Sequence, residues 1–307
     1  MNRAAVARAR YQGLAAARRW THDPARPREK FSLSVGDKVG ELTVIGHLAC
    51  GRMSELYQVW SNRHWCALTG KIAHPEFVRD GVAPVAFRRE AEVLEKLRHP
   101  NIVRLFDADE ADGRPYILME YLAGPSLFDV LEGLPKRRLY IPDAVRAIMH
   151  VGAAIHYLHR CGYLYRDLKP GNVHLREGVP VLLDFDVVRE IEPIRRPADR
   201  LGTAPYMAPE QVLKEPLTAA TDVYGLGVLL YELVTGHWPT EEPVEADPEA
   251  RYQTVSGMLA ALAPMLKGRH RLWPENAPVE RRADTQSRSG HARFRRAVRR
   301  WAEDSGR

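Results

Sequence analysis

Four side chains in one short stretch could do chemistry together. Asp167, Lys169 and Asn172 stand in Tyr165-Arg166-Asp167-Leu168-Lys169-Pro170-Gly171-Asn172, and Asp184 follows in Leu182-Leu183-Asp184-Phe185-Asp186. Carboxylate and amide oxygens suit a hard cation such as magnesium, which prefers oxygen ligands and phosphate. A lysine two residues from an aspartate can balance anionic charge. Taken singly, an Asp or Asn is more often a turn residue or a cap. The joint spacing, with strand-like runs around it, makes that reading remote. A further candidate pair lies upstream. Lys71 follows the strand-like Cys66-Ala67-Leu68-Thr69 and precedes a helical stretch carrying Arg88-Arg89-Glu90. Surface pairing is the ordinary reading of one Lys and one Glu, and Glu92 is a second candidate partner.

The elements that must position these residues change character along the chain. Leu42–Ile45 and Leu56–Trp60 are rich in β-branched and aromatic residues and flank a turn containing Gly51 and Ser54, which predicts a hairpin. Cys66–Thr69 predicts a third strand. Ala91, Val93, Leu94 and Leu97 give the stretch Phe87–Leu97 one apolar stripe at helical spacing, and His99-Pro100-Asn101 stops it. Ile102–Phe106 and Tyr116–Tyr121 predict two more strands around the turn-rich Asp112-Gly113-Arg114-Pro115. Beyond Leu122 the pattern is helical. Asp143–Cys161 carries an apolar stripe, and Asp222–Thr235 is almost wholly apolar apart from Glu232, so that helix should be buried on all sides. The expected domain organisation is a basic tail and linker over 1–38, a strand-rich lobe over 39–121 and a mainly helical lobe over 122–303.

Composition narrows the function classes. The 307 residues are 45% hydrophobic, with net charge +6, ordinary for a globular protein. Residues 1–30 hold eight Lys/Arg and two Asp/Glu, and residues 267–307 hold twelve and five, so the body between them is acidic, at −7. An acidic body with two Arg-rich ends is not the footprint of a nucleic-acid-binding domain, which clusters charge on one folded face. Cys50, Cys66 and Cys161 form no Cys-x-x-Cys pair and support neither a disulfide framework nor a structural zinc site. No apolar run approaches the roughly 18 residues of a membrane span, and no apolar core of a secretory signal lies near Met1, so a cytoplasmic address is expected. Nothing in the pattern specifies an oligomeric state.

Taken in order, these stretches resemble the eukaryotic-like Ser/Thr protein kinases of bacteria, from about Leu42 to Trp301. The resemblance implies an α+β, two-lobed protein-kinase fold with ATP in the cleft between a small antiparallel sheet plus helix and a helical lobe. It implies transfer of the γ-phosphate of ATP to Ser/Thr hydroxyls of protein substrates, dependent on Mg2+ or on Mn2+. Such transfer needs charge neutralisation and alignment more than covalent chemistry. Asp167 would orient the substrate hydroxyl or accept its proton, Lys169 would contact the γ-phosphate, and Asn172 and Asp184 would hold the metal. Lys71 would pair with the α- and β-phosphates, held by Glu90. Ala49, Gly51 and Ser54 would lie over the phosphates. Met119, Glu120 and Leu122 would form the hinge at the adenine. Thr203, in Gly202-Thr203-Ala204-Pro205-Tyr206-Met207-Ala208-Pro209-Glu210, would shape the acceptor site. Glu210 would pair with Arg281, in Pro278-Val279-Glu280-Arg281, with Arg282 as fallback, and Asp222 would order the catalytic-loop backbone.

The sequence departs from that family at four places. Where the family has a G-x-G-x-x-G loop, this chain has Ala49-Cys50-Gly51-Arg52-Met53-Ser54, in which Gly51 alone survives; looser or more restricted phosphate contacts and weakened nucleotide affinity are expected, with Cys50 near the phosphates as a small filler. Asp186 replaces the glycine of Asp-Phe-Gly, and Tyr165 replaces the usual His, a packing position. The segment from Asp184 to Glu210 has one Thr, one Tyr and no Ser, so Glu190, Glu192 or Asp199 is expected to serve Arg166 as a fixed anion in place of a phosphate. The rival reading is a pseudokinase, a nucleotide- or partner-binding scaffold with little phosphoryl transfer. A small-molecule kinase is disfavoured by Lys169 and Ala208-Pro209-Glu210.

Overall fold

The computed structural model describes residues 31–51, 53–78, 82–191, 202, 203, 205–239 and 244–266. The chain divides into two compact units, the second beginning at Gly124 and also taking in Leu97–Ile102.

The first unit is a six-stranded antiparallel sheet with two helices. Its strands are β1 (Lys38–Val39), β2 (Leu42–Cys50), β3 (Ser54–Ser61), β4 (Cys66–Ala73), β5 (Leu105–Ala111) and β6 (Arg114–Glu120), in the order β1-β2-β3-β4-β6-β5. The helices are α1 (Pro75–Val78) and α2 (Val82–Lys96). The predicted hairpin is β2–β3, closed where the Gly51 N–H donates to the Ser54 carbonyl at 2.8 Å. Side chains alternate across a strand, and β3 and β4 use both faces. On one face Tyr57, Val59, Leu68 and Ile72 form a buried cluster with Leu42, Val44, Tyr116 and Leu118, and Phe31 and Leu33 pack against it. Lys71, paired in register with Leu56 and Ile117, turns to the other.

The strand predicted from Ile102 begins only at Leu105. Ile102 instead bridges Leu182, and the Leu182 N–H donates to the Asn101 carbonyl at 2.8 Å, so this segment is spent on the second unit. The edge strand β5 that follows carries Asp107, Asp109 and Glu110, charges that discourage pairing with another chain.

The second unit is mainly helical, with α3 (Leu127–Gly133), α4 (Ile141–Arg160), α5 (Pro209–Leu213), α6 (Ala219–Thr235) and α7 (Val255–Leu262). Two small antiparallel ribbons accompany them: β7 (Tyr163–Leu164) with β10 (Arg189–Glu190), and β8 (Val173–Arg176) with β9 (Val179–Leu182). The stripe predicted on α4 is buried from Ala144 to Leu158. Helix α6 starts three residues before the expected Asp222, because the Thr218 side chain caps it by accepting from Ala220 N–H; Asp222 sits in its first turn. No described helix is long and apolar enough to cross a membrane.

As expected, α6 is buried along most of its length, Glu232 included. The Tyr206 hydroxyl donates to Glu232 Oε2 at 2.7 Å, and Trp238 Nε1 donates to that hydroxyl at 2.8 Å. Burial lifts the Glu232 carboxyl above its ordinary range, against the opposing pull of the Tyr206 bond and the Arg137 charge. A carboxyl whose folded pKa is raised contributes stability that is fully present below its unfolded pKa and is lost as pH rises through the folded value. The variant Glu232→Gln keeps the acceptor without the charge. Relative to wild type, its melting temperature should therefore rise as pH climbs from the unfolded carboxyl range toward neutrality; thermal scans across pH check this, and a difference independent of pH contradicts it.

Candidate active site

In the second unit the loop after β7 is shaped by backbone strain and by one buried carboxylate. Arg166 (φ 78°) and Asp184 (φ 58°) both lie in the left-handed region. For residues with a Cβ that region costs about 1–2 kcal/mol each, a strain found where surrounding contacts over-determine the backbone. Those contacts are visible around Arg166. Asp222 Oδ2 accepts from Tyr165 N–H at 2.9 Å and Oδ1 from Arg166 N–H at 2.8 Å, while Gln211 Nε2 donates to the Arg166 carbonyl at 3.0 Å. His159 Nε2 lies 2.7 Å from Asp222 Oδ2. Tyr165 is fully buried, edge-on to Phe185, and its hydroxyl donates to the Leu183 carbonyl. Burial, with the Asp184 and Asp167 charges, pushes that hydroxyl well above the usual tyrosine range, so it stays a neutral donor.

The loop so held brings four of the sequence candidates into one cluster. Asp167 Oδ1 accepts from both the backbone N–H and the hydroxyl of Thr203, each at 2.8 Å. Asp167 Oδ2 accepts from Lys169 Nζ at 2.6 Å and from Asn172 Nδ2 at 3.0 Å. Lys169 Nζ also donates to Thr203 Oγ1 at 2.8 Å, which closes a ring of three side chains. Asn172 Nδ2 donates a further bond to the Asp167 carbonyl at 3.0 Å, leaving the amide oxygen on the opposite side. Asp184 follows β9 and is half-buried; Asp186 is exposed. The Arg166 guanidinium donates to the Val187 carbonyl at 3.2 Å, and Glu190 is exposed on β10. Glu192 and Asp199 lie outside the described residues.

In the first unit, Lys71 Nζ donates to Glu90 Oε2 at 2.7 Å and Oε1 at 3.0 Å, with both residues buried; Glu92 is exposed. Gly51 and Ser54 form the β2–β3 turn, with Ala49 exposed beside it. Cys50, expected near the phosphates, turns to the sheet face opposite Lys71, with Sγ 3.4 Å from His74 Nε2. Met119 is buried in β6, Glu120 ends that strand, and Leu122 follows it half-buried. The Glu120 N–H is already committed to the Arg104 carbonyl at 3.0 Å.

These motifs, in this order and on these two units, match a family. Residues 42–281 fit the model of the protein kinase domain. The chain belongs to the protein kinase family. It is 32% identical over 267 residues to the serine/threonine-protein kinase PknB of Mycobacterium tuberculosis, and 30% identical over 255 residues to the probable serine/threonine-protein kinase PknB of Bifidobacterium longum. Those alignments cover 77% and 78% of this chain but 41% and 36% of the relatives, so the chain spans about two fifths of their length.

One architectural expectation falls outside the described residues: Glu210 is expected to pair with Arg281, or with Arg282, and neither is described. Among the described residues Glu210 pairs with Arg251: Nη1 meets Glu210 Oε1 at 2.8 Å and Nη2 meets Oε2 at 3.1 Å. Thr221 Oγ1 donates to the same carboxylate at 2.9 Å. The guanidinium also donates to the carbonyls of Ala220, Glu245 and Ala246, and lies over the Tyr224 ring at 4.7 Å. The signal was present in the sequence, because Pro248-Glu249-Ala250-Arg251 repeats the Pro-x-x-Arg spacing of 278–281. A buried pair that loses one partner leaves an uncompensated charge, at a cost of about 3–5 kcal/mol. Arg251→Ala should lose stability on that order in denaturant unfolding. Combining Arg251→Met with Glu210→Gln should recover part of the loss, and additive losses contradict the pairing.

Proposed function

We propose that this chain transfers the γ-phosphate of ATP to Ser/Thr hydroxyls of protein substrates, with a divalent cation. The observation that carries the reading is the Asp167 cluster: four donated bonds fix both carboxylate oxygens, and two of them come from Thr203. A carboxylate held this way is pre-set to orient a hydroxyl and take up its proton, with no reorganisation at the moment of reaction. Lys169, already bridging Asp167 and Thr203, is the cation for the transferred phosphoryl group. Lys71, kept in place by Glu90, serves the α- and β-phosphates. The relatives' printed names, serine/threonine-protein kinase, point the same way.

The donor set fits magnesium. Asn172 spends its amide nitrogen on Asp167, which turns its oxygen outward, and Asp184 adds a carboxylate; hard oxygen donors are what Mg2+ or Mn2+ takes. When bound, the metal neutralises phosphate charge. The altered turn at Ala49, Gly51 and Ser54 supplies fewer open backbone donors, since the Gly51 N–H is bonded within the turn. The hinge around Met119, Glu120 and Leu122 serves the adenine through groups other than the Glu120 N–H.

The test is transfer of labelled γ-phosphate from ATP to the protein itself or to a generic basic acceptor, with magnesium and manganese in parallel. Asp167→Asn should lower the rate about 10²–10⁴-fold, the range for a positioned base, while ATP binding is kept. Lys71→Met should abolish detectable transfer. Wild-type signal no higher than Asp167→Asn, with nucleotide binding intact, overturns the proposal.

A further inference from the structure

Three strands end together beside the Gly51 turn. Cys50, the last residue of β2, pairs in register with Glu55 on β3. Glu55 pairs with Ile72 on β4, and His74 follows two residues later. Alternation along the strands puts Cys50, Glu55 and His74 on the same face, away from Lys71. One ligand atom from each residue lies within 4.8 Å of the other two, and Cys50 Sγ is 3.4 Å from His74 Nε2. A tetrahedral zinc with Zn–S near 2.3 Å and Zn–N near 2.0–2.1 Å holds its sulfur and nitrogen ligands about 3.5 Å apart. The thiol and the imidazole thus already stand at ligand separation.

Glu55 is prepared in the same sense. It is wholly buried, and its carboxylate accepts from the backbone N–H and the hydroxyl of Ser32 and from Arg114 Nη2. Bonds of this kind orient a ligating carboxylate. Oε1 accepts only the Ser32 N–H among the described bonds to Glu55, so it retains a lone pair for a metal. Cys50 and His74 are half-buried, which leaves an entry path. None of the three belongs to the phosphoryl-transfer set above.

We propose that Cys50, Glu55 and His74 form a zinc site on the sheet face opposite Lys71, with water in the fourth position. A thiolate with an imidazole and a single carboxylate selects zinc over magnesium, which takes oxygen ligands. On binding, the Zn–S bond forms as the Cys50 thiol releases its proton to solvent; nothing is oxidised or reduced. The ion ties the end of β2 to the end of β4 and so restrains the turn between Gly51 and Ser54.

The test uses the full, untagged chain under reductant. Zn2+ is titrated against a chromophoric chelator, and Co2+ replaces it for absorption spectra. One equivalent should bind, with a thiolate-to-cobalt charge-transfer band and tetrahedral visible bands. Cys50→Ser and His74→Gln should each lose the band and the stoichiometric zinc, while Cys66→Ser and Cys161→Ser keep both. Ser32→Ala should weaken zinc binding about tenfold, as for a lost outer-shell bond. Zinc should raise the melting temperature of wild type and not of the two ligand variants, whose metal-free melts establish that they fold. Less than one equivalent, no charge-transfer band, or a band that survives in Cys50→Ser or His74→Gln overturns the site.

Discussion

The second unit depends on a carboxylate placed where carboxylates are expensive. Asp222 sits 1% exposed in the first turn of the mostly apolar helix α6, and burying an ionised group without partners costs several kcal/mol. Its partners are the backbone N–H groups of Tyr165 and Arg166 and the ring of His159. Those two amides belong to a loop that adopts a left-handed turn at Arg166 and has no sheet to satisfy them. The helix needs donors and the loop needs an acceptor. The loop therefore cannot relax to an easier backbone without leaving a buried charge unpaired, and it is this rigidity that sets Asp167 one residue further on.

Other buried charges in the chain follow the same logic inside each unit. Lys71 with Glu90, Arg114 with Glu55 and Arg251 with Glu210 are acid–base pairs whose members are all largely removed from solvent. Such pairs add little net stability over apolar replacements, yet are costly to break singly. Their value lies in geometry. Glu90 fixes Lys71 to helix α2, Arg251 fixes Glu210 to the start of α6 through Thr221 and Ala220, and Arg114 fixes Glu55 to Ser32. Each ties a reactive or boundary segment to a regular element.

What the sequence made legible follows from how local each signal is. The 167–172 loop and the long helices α4 and α6 are local patterns, a fixed spacing or an apolar period, and they were read to within a few residues. The start of α6 was missed because a Thr218 cap outranks the first charged residue as a boundary. The predicted strand starts too early because Ile102 is as β-prone as β5 itself, but its backbone bridges Leu182 within the second unit. The Glu210–Arg251 pair is hard to read in the sequence for a different reason. Two Pro-x-x-Arg stretches compete, and a spacing rule cannot rank them; only the approach of the 244–251 segment to α6 can.

The Cys50–Glu55–His74 group shows the limit most clearly. Counted as sequence, the three cysteines make no metal pattern, because metal motifs are recognised by ligands close together along one turn or helix. Here the residues come from two adjacent strands and the position just after a third, and their proximity is a matter of cross-strand register: Cys50 opposite Glu55, Glu55 opposite Ile72. A slip of one residue in either pairing would send Glu55 or His74 to the opposite face and swap the places of Lys71 and Ile72. The register that buries Ile72 and Tyr57 in the apolar cluster is thus the same one that presents Lys71 to Glu90 and assembles the thiol, carboxylate and imidazole behind it. One hydrophobic constraint fixes the chemistry of both faces of the sheet.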